Sequence, residues 1–231
     1  MRFYLEYLAK IKEPEQDDLI PQRSEIGTLV HNAVQELYRQ YPSPLDIPDD
    51  IPFPVTAKPS PLVDATIQTF ISNIVKTDKR LAKDHELRIL KTEEDAYMTV
   101  AVPGYGNVRV GGRIDRIDTL DGVTRIIDYK TGSDKPDYDF QLNIYREAYL
   151  ENQKSKIENQ KSASIDAVLY LCKTNEQRTV SYDANLMQDQ LVPLLREVLD
   201  FISNPPEDPL TILAAKKSTC DNCPYKLLCG K

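Results

Sequence analysis

The sequence predicts an α/β or α+β fold, in which a central sheet has helices before, between and after its strands. Alternating segments in the middle of the 231-residue chain predict an antiparallel meander, and a later apolar run predicts a strand buried on both faces. Segments with apolar residues spaced by three and four predict the flanking helices. A chain of this length buries one sizeable core, so we expect residues 1–231 to form a single domain.

The N-terminal part predicts three helices separated by polar and proline-rich connections. Residues 3–10 form a short apolar segment with helical spacing, and an apolar face of helical period predicts a second helix over 24–41. Prolines spread through 42–61 exclude regular helix or a central strand there. A proline near a helix start then favours a third helix over 61–83.

Four strands follow in the predicted meander. Alternation predicts strands over 86–92, 96–102, 107–119 and 123–130. The remaining predicted elements are a helix over 137–154, a buried strand over 167–172, a strand over 178–182 and an amphipathic helix over 184–202.

The Asp121-Gly122 dipeptide between two β-branched runs predicts a two-residue hairpin turn, and such a turn fixes the register. Paired residue numbers then sum to 243, so Asp115 lies opposite Asp128. Opposed carboxylates on one sheet face repel each other. A divalent cation compensates, because carboxylate oxygens are preferred ligands of Mg²⁺ and Mn²⁺. Strand alternation puts Lys130 on the face of Asp128, so two acids and one amine converge.

Three further polar side chains are candidates for a site. His31 lies at the border of the apolar face of its helix and is either a hydrogen-bonded border residue or a metal ligand. Gln141 and Tyr145 are four residues apart on one helix, so an amide and a phenol can point the same way. The alternative is an amphipathic helix with Tyr145 in the core and Gln141 at the surface.

The cysteines are concentrated at the C-terminus. Cys220, Cys223 and Cys229 place three thiolates within ten residues, which suits Zn²⁺ with an outside ligand or three corners of an iron-sulfur cluster. Cys172 ends an apolar strand, and we expect it to be a small buried hydrophobic residue. This pattern is not a secreted disulfide framework.

Charge and hydropathy limit the classes of protein. A net charge of −7 and a pI near 5.0 are unfavourable for a chain that binds the phosphates of a nucleic acid by itself. This objection is weaker if another domain delivers the nucleic-acid strand. No apolar run approaches the roughly 20 residues of a membrane span, and the N-terminus lacks a signal peptide. We therefore expect a cytoplasmic protein without membrane contact.

Together these motifs resemble the PD-(D/E)xK nucleases, and more narrowly the RecB-like exonuclease branch that includes the AddB nuclease domain. The segments that carry the resemblance stand in the family's order: G-x-x-x-H at 27–31, G-G-R-I-D at 111–115, D-Y-K-T-G at 128–132, Q-L-x-x-Y at 141–145 and C-x2-C-x5-C at 220–229. The resemblance covers roughly residues 3–229. It implies a restriction-endonuclease-like core, with a central mixed sheet that contains an antiparallel meander and is flanked by helices.

The resemblance also implies roles for individual residues. The implied ligands of Mg²⁺ or Mn²⁺ are His31, Asp115, Asp128 and the backbone carbonyl of Tyr129. Lys130 would orient the attacking water or assist its deprotonation, and Gln141 and Tyr145 would contact the substrate strand. The implied activity is that of a metal-dependent exonuclease on linear DNA ends or single strands in repair or recombination, with a helicase domain or a separate helicase chain as partner.

In the family, a 4Fe-4S cluster is held by the C-terminal cysteines and by a fourth cysteine just before the N-terminal helix. Here that helix begins at Phe3, preceded only by Met1 and Arg2. We therefore expect no cluster in this chain, and we expect the cysteine tail over 216–231 still to pack on the N-terminal helix.

Two alternatives remain open at this stage. The first is a catalytically degenerate nuclease fold that binds DNA or a partner, against which the intact Asp115, Asp128 and Lys130 argue. The second is a zinc-binding interaction domain organised by the C-terminal cysteines, which zinc without nuclease activity would favour.

Overall fold

A computed structural model describes residues 23–49, 61–154 and 165–204 of the chain. The helix predicted over 3–10, the cysteines of the tail and the predicted packing of the tail on the N-terminal helix lie outside these residues. The chain divides into two compact units, Ile20–Val192 and the combination of Met1–Leu19 with Pro193–Lys231. All the strands of the described residues belong to the larger unit.

The helices and strands alternate much as the sequence predicts. The described α-helices are α1 (Arg23–Gln40), α2 (Pro61–Asp84), α3 (Asp137–Lys154) and α4 (Val192–Ser203). The described strands are β1 (Leu87–Val102), β2 (Gly106–Leu120), β3 (Val123–Lys130), β4 (Ile165–Leu171) and β5 (Glu176–Val180). A 3-10 turn at Pro44–Asp46 and a π-helical turn at Met187–Leu191 complete the described elements.

The five strands form one mixed sheet in the order β1-β2-β3-β4-β5. The first three strands form an antiparallel meander, β4 runs parallel to β3, and β5 is antiparallel to β4. Strand β4 is buried from Ala167 to Leu171, as its continuous apolar run predicts. This mixed sheet with flanking helices confirms the predicted fold class.

The hairpin between β2 and β3 has the register that the turn predicts. Leu120 pairs with Val123 and Arg116 pairs with Ile127, so paired residue numbers sum to 243. Asp121 and Gly122 both have positive φ, at 50° and 83°. Two positive φ values are the signature of a type I′ turn, whose twist matches that of the strands.

The prediction of separate strands over 86–92 and 96–102 is wrong, because β1 is one continuous strand. The polar run between them interrupts the apolar alternation, which suggested a break. In the structure this run still pairs with β2, since Thr92 faces Arg116 and Glu94 faces Ile114. Glu93 between them takes a φ of 53° without a change of register, and the register shift of β1 lies between Ile89 and Lys91.

The helices of the larger unit cover both faces of the sheet. Side chains of α1 and α2 pack with Ile127 and Tyr129 of β3 in the main apolar core. Successive strand residues point to opposite faces, so Asp128 and Lys130 face the other side. There α3 packs on the sheet, and its Gln141 contacts Lys130. None of the described helices is long and apolar enough to cross a membrane.

A buried ion-pair network that the sequence did not predict lies under α1 and α2. Its charged members are Asp78, Arg116, Asp118 and Arg125, all almost fully buried. Arg116 contacts both carboxylates and also donates to the phenol oxygen of Tyr129 at 3.1 Å. Two cations and two anions balance, which is the condition under which buried charges are tolerated. The network therefore fixes the side chain of Tyr129 from the face opposite Asp128.

Candidate active site

The predicted site residues meet where β2 and β3 separate. Backbone pairing of these strands ends at Arg116 and Ile127, so Asp115 and Asp128 occupy the next position on each strand. Beyond this point β3 continues beside β4 as far as Lys130. The divergence leaves backbone groups of β3 available to side chains, which is the local reason that a polar site forms there.

Asp115 is held by two neighbours and is 8% exposed. Its Oδ2 accepts a hydrogen bond from the backbone N–H of Tyr129 at 2.7 Å, and its Oδ1 lies 3.3 Å from Nδ1 of His31. Burial is the largest cause of a raised pKa for Asp115, to about 7. The nearby carboxylates of Asp128 and Glu93 raise this pKa further, whereas His31 and the N–H of Tyr129 lower it.

His31 reaches the site from α1. Its Nε2 lies 3.0 Å from the carbonyl oxygen of Tyr129, which fits a hydrogen bond donated by Nε2–H. Two ligand atoms in adjacent positions of an octahedral site, each about 2.1 Å from the ion, are also separated by this distance. The imidazole and this carbonyl therefore lie close enough to bind each other or adjacent positions on one ion.

Asp128 is only 2% exposed and lies beside Lys130. The ammonium Nζ of Lys130 is 2.8 Å from Oδ2 of Asp128 as an ion pair, yet this buried oxygen has no partner with hydrogen-bond geometry among the described residues. Burial raises the pKa of Asp128, while the adjacent Lys130 lowers it. A buried carboxylate oxygen whose hydrogen-bonding capacity is not filled can bind a further cation.

Lys130 is positioned by residues of α3 as well as by Asp128. It donates to Oε1 of Gln141 at 3.1 Å and lies 4.9 Å from the ring centre of Tyr138. Burial is the largest single cause and lowers the pKa of Lys130, but Asp128, Asp115 and Tyr138 together raise this pKa above its ordinary value. The amine is thus an ammonium ion in this state.

Gln141 and Tyr145 point the same way, as their spacing on a helix predicts. Nε2 of Gln141 donates to the hydroxyl oxygen of Tyr145 at 2.8 Å. The Tyr145 ring lies against Gly112, where an added Cβ would stand 3.1 Å from a ring carbon. A chain of polar contacts therefore runs from Tyr145 through Gln141 to Lys130.

One acidic residue of the site was not predicted. Glu93 of β1 offers a carboxylate oxygen that lies within 4.8 Å of ligand atoms of both His31 and Asp115. Its position in a polar run of β1 gave no periodic signal, and the register of β1 with β2 could not be predicted without a tight turn between them. Glu86, seven residues earlier, lies away from the site and donates its N–H to Asp121 in the turn after β2.

The donor set fits a hard divalent cation. It combines an imidazole nitrogen, buried carboxylates and a backbone carbonyl, and carboxylates that repel one another are stabilised when a cation lies between them. The buried Oδ2 of Asp128 is an oxygen with capacity for such an ion. The residues present therefore fit a divalent cation such as Mg²⁺ or Mn²⁺.

Cys172 is not one of the clustered ligand residues. It is fully buried in the core with Tyr129 and Tyr170, as predicted, and burial raises the pKa of its thiol to about 12. A neutral thiol in an apolar environment is a packing residue.

Comparison with known proteins gives local and distant similarities. A subunit of the ATP-dependent helicase/deoxyribonuclease of Clostridium perfringens strain SM101 is 44% identical over 80 residues, covering 30% of this chain and 7% of that protein. The protein of the same name from strain 13 is 42% identical over 80 residues, with the same coverage. The chain thus spans 7% of the length of these curated relatives. The crystal structure of SSO0001 matches 96% of this chain and 91% of its own, with 14% identity and a TM-score of 0.40, too low to support an argument.

Similarity over the whole chain comes from a family model. The model of the PD-(D/E)XK nuclease superfamily matches residues 1–230. This match covers the hairpin with Asp115, Asp128 and Lys130, and it confirms the resemblance inferred from the motifs. The chain is a member of the PD-(D/E)XK nuclease superfamily.

Proposed function

We propose that this nuclease is a divalent-metal-dependent DNA exonuclease that acts in repair or recombination. The observation that carries the proposal is the convergence of buried Asp115 and Asp128 with His31 and Lys130 where β2 and β3 separate. Buried acids of this kind are costly to a fold unless a cation or a reaction uses them.

His31, Asp115 and Asp128 would hold the ion, with the carbonyl of Tyr129 as a further oxygen. The bound ion supplies Lewis-acid polarisation of the scissile phosphate and lowers the pKa of a water molecule. An imidazole among the ligands suits Mn²⁺ better than Mg²⁺, so we expect both ions to support activity.

Lys130 would act as an ammonium that orients the attacking water and offsets the charge that builds up on the phosphate. Its pKa lies above the ordinary value because Asp128 stabilises the charged form. It therefore keeps its proton at Nζ and can donate to the oxygen of the water or of the phosphate. To act as a general base, the other role that the sequence allowed, Lys130 would first have to lose this proton, which a bound dication nearby would favour.

Gln141 and Tyr145 would contact the substrate strand near the scissile bond. Both are half-buried on α3 and are joined to each other and to Lys130 by hydrogen bonds. A strand that reaches Lys130 therefore passes this amide and phenol. Tyr145 could then stack on a base, a contact that tolerates any sequence.

DNA as the substrate and a helicase partner are supported by the similar proteins, which are named as a subunit of a helicase/deoxyribonuclease. The exonuclease mode is proposed from the resemblance of the motifs to the RecB-like branch. The chain carries a net charge of −7, which disfavours strong binding of DNA by this chain alone. A partner that delivers the strand would remove this difficulty. The cytoplasmic location expected from the sequence agrees with such a role.

The test uses DNA of defined ends. Purified protein is incubated with linear DNA labelled at the 5′ or the 3′ end, and with closed circular single-stranded DNA, in Mg²⁺, in Mn²⁺ and with chelator. We expect metal-dependent degradation of the linear DNA, none of the circle, and none with Asp128→Asn. Matched Asp134→Asn, which changes an exposed acid on the loop after β3, should retain activity.

Other outcomes decide between the alternatives. Cleavage of the closed circle would show endonuclease activity and contradict the exonuclease part of the proposal. DNA binding without turnover in any divalent metal would instead support a degenerate nuclease fold.

A further inference from the structure

Glu93 stands outside every motif that carries the family resemblance, yet it lies in the site. We propose that Glu93 is an additional carboxylate ligand of the divalent ion, next to His31 and Asp115. This inference rests on the proposed function, because it concerns the same ion. It adds a ligand from β1 to those supplied by α1, β2 and β3.

The register of the sheet brings Glu93 to the site. In this part of the β1-β2 ladder, paired residue numbers sum to 208, as for Thr92 with Arg116 and Glu94 with Ile114. The position opposite Glu93 is therefore that of Asp115. Because Asp128 follows on β3 by the register of the next hairpin, three acids occupy one row across three strands.

The side chain of Glu93 is directed at the other ligands. Its carboxylate lies within 4.8 Å of ligand atoms of both His31 and Asp115, a spacing that one ion can span. The side chain is 14% exposed. The nearest cation in the described residues is Arg113, whose Nη1 is 3.8 Å from Oε2 of Glu93, beyond hydrogen-bond distance. The charge of Glu93 is thus only weakly compensated within the described protein.

The backbone at Glu93 is held in an unfavourable conformation. Its φ of 53° is uncommon for a residue other than glycine, asparagine or aspartate, and it occurs here inside a strand. A residue in this region is strained unless its surroundings compensate. Such positions next to a site redirect a side chain, and here the side chain is directed towards His31 and Asp115.

An independent observation points to a cation at this place. Asp128 is almost fully buried, and its Oδ2 forms an ion pair with Lys130 at 2.8 Å but has no partner with hydrogen-bond geometry among the described residues. Asp128 also interacts electrostatically with both His31 and Asp115, so its carboxylate neighbours the same cluster. Three acids set against the ammonium of Lys130 and one imidazole still leave a local negative charge that a dication neutralises.

A third carboxylate has a defined chemical consequence. Affinity for a hard cation increases with the number of charged oxygen ligands, so Glu93 should tighten binding of Mg²⁺ and Mn²⁺. A phosphate-binding role is disfavoured, because a carboxylate would repel the substrate. Glu93 would therefore act on the ion and leave contact with DNA to other residues.

The test measures binding of Mn²⁺ alone, by electron paramagnetic resonance or calorimetry, in metal-free full-length protein. Glu93→Asn removes the charge but tolerates a positive φ, and Glu93→Gln keeps the length of the side chain. We expect both variants to bind Mn²⁺ about 10-fold to 100-fold more weakly than wild type. Glu94→Gln is the matched control, because the neighbouring Glu94 pairs with Lys91, and it should leave the affinity unchanged.

Thermal unfolding in chelator separates this role from a structural one. A ligand role predicts that Glu93→Asn is at least as stable as wild type without metal and gains less stability when Mn²⁺ is added. Unchanged Mn²⁺ affinity in both Glu93 variants, with affinity lost in Asp115→Asn, would overturn the proposal and leave the nuclease site intact. Weakened Mn²⁺ binding in a protein that degrades no DNA would instead support Glu93 and contradict the proposed function.

Discussion

The backbone N–H of Tyr129 donates a hydrogen bond to Oδ2 of Asp115 at 2.7 Å, just beyond the last backbone pair of β2 with β3. The carboxylate of Asp115 thus takes the place of the backbone hydrogen bond that would come next between β2 and β3. The carbonyl of the same residue lies 3.0 Å from His31, and its phenol is anchored by Arg116. The backbone of Tyr129 therefore sets the geometry of the site.

The stability of the metal-free protein should fall as the pH rises from about 4 to about 7. The pKa of Asp115 is raised from 3.8 to about 7 by burial, so the folded state binds more protons than the unfolded state in this window. Stability from the protonated acid is complete below the unfolded pKa and is lost as the pH passes the folded pKa, with a total on the order of a few kcal/mol. Denaturant unfolding in chelator should show a shallower pH dependence for Asp115→Asn than for wild type. Identical pH profiles would contradict the raised pKa.

Lys130→Gln should reduce turnover by about 10²-fold to 10⁴-fold without weakening binding of the metal. The variant loses the ammonium that serves the water or the phosphate, while Asp128 loses an ion partner that competes with the metal. Single-turnover assays at saturating Mg²⁺, together with Mn²⁺ titration, separate these effects. Lys135→Gln, which changes an exposed lysine nearby, is the control. Metal affinity that falls in parallel with turnover would assign Lys130 to the metal site itself.

Gly111→Ala should destabilise the fold by about 2 kcal/mol or more, whereas Gly27→Ala should have little effect. Gly111 has a φ of 153°, and an added Cβ would stand 2.1 Å from the carbonyl oxygen of Ala96 in β1. A Cβ at Gly27 would meet Thr131 at 3.6 Å, an ordinary contact. Denaturant unfolding of both variants provides the comparison. Equal stability would mean that β1 and β2 do not approach as closely as described.

Arg116→Met should destabilise the protein by about 3–5 kcal/mol, because it leaves Asp78 and Asp118 buried without their shared cation. Exposed Arg39→Met, which removes a surface pair with Glu36, should produce no measurable change. Urea unfolding in chelator measures both. A neutral result for Arg116→Met would show that the buried network does not contribute to the fold.

The sequence predicted the centre of this site because one local signal fixed it. The Asp121-Gly122 turn determines the register, and the register aligns Asp115 with Asp128 through strand geometry alone. The burial of Cys172 followed equally from its apolar strand. The roles of the aligned residues, and the single domain expected for the chain, stay predictions.

What could not be predicted depends on contacts between elements far apart in sequence. Arg116 meets Asp78 of α2 only after the helix has packed, and nothing in the local pattern distinguishes it from a surface arginine. Glu93 reaches the site through a positive φ within β1, which no periodicity indicates. Both residues are polar and lie in strands. The alternation of apolar and polar residues predicts that such side chains are exposed, but tertiary packing buries most of each.

The position of Mn²⁺ in crystals of the protein, located by anomalous diffraction at the manganese edge, shows directly whether this cluster binds metal. We expect one strong peak bonded to His31, Asp115 and Asp128, with Glu93 in contact as well. The peak should be lost in crystals of Asp115→Asn. Manganese bound elsewhere, with His31 and Asp115 still in direct contact and Lys130 alone beside Asp128, would show that this cluster is not a metal centre.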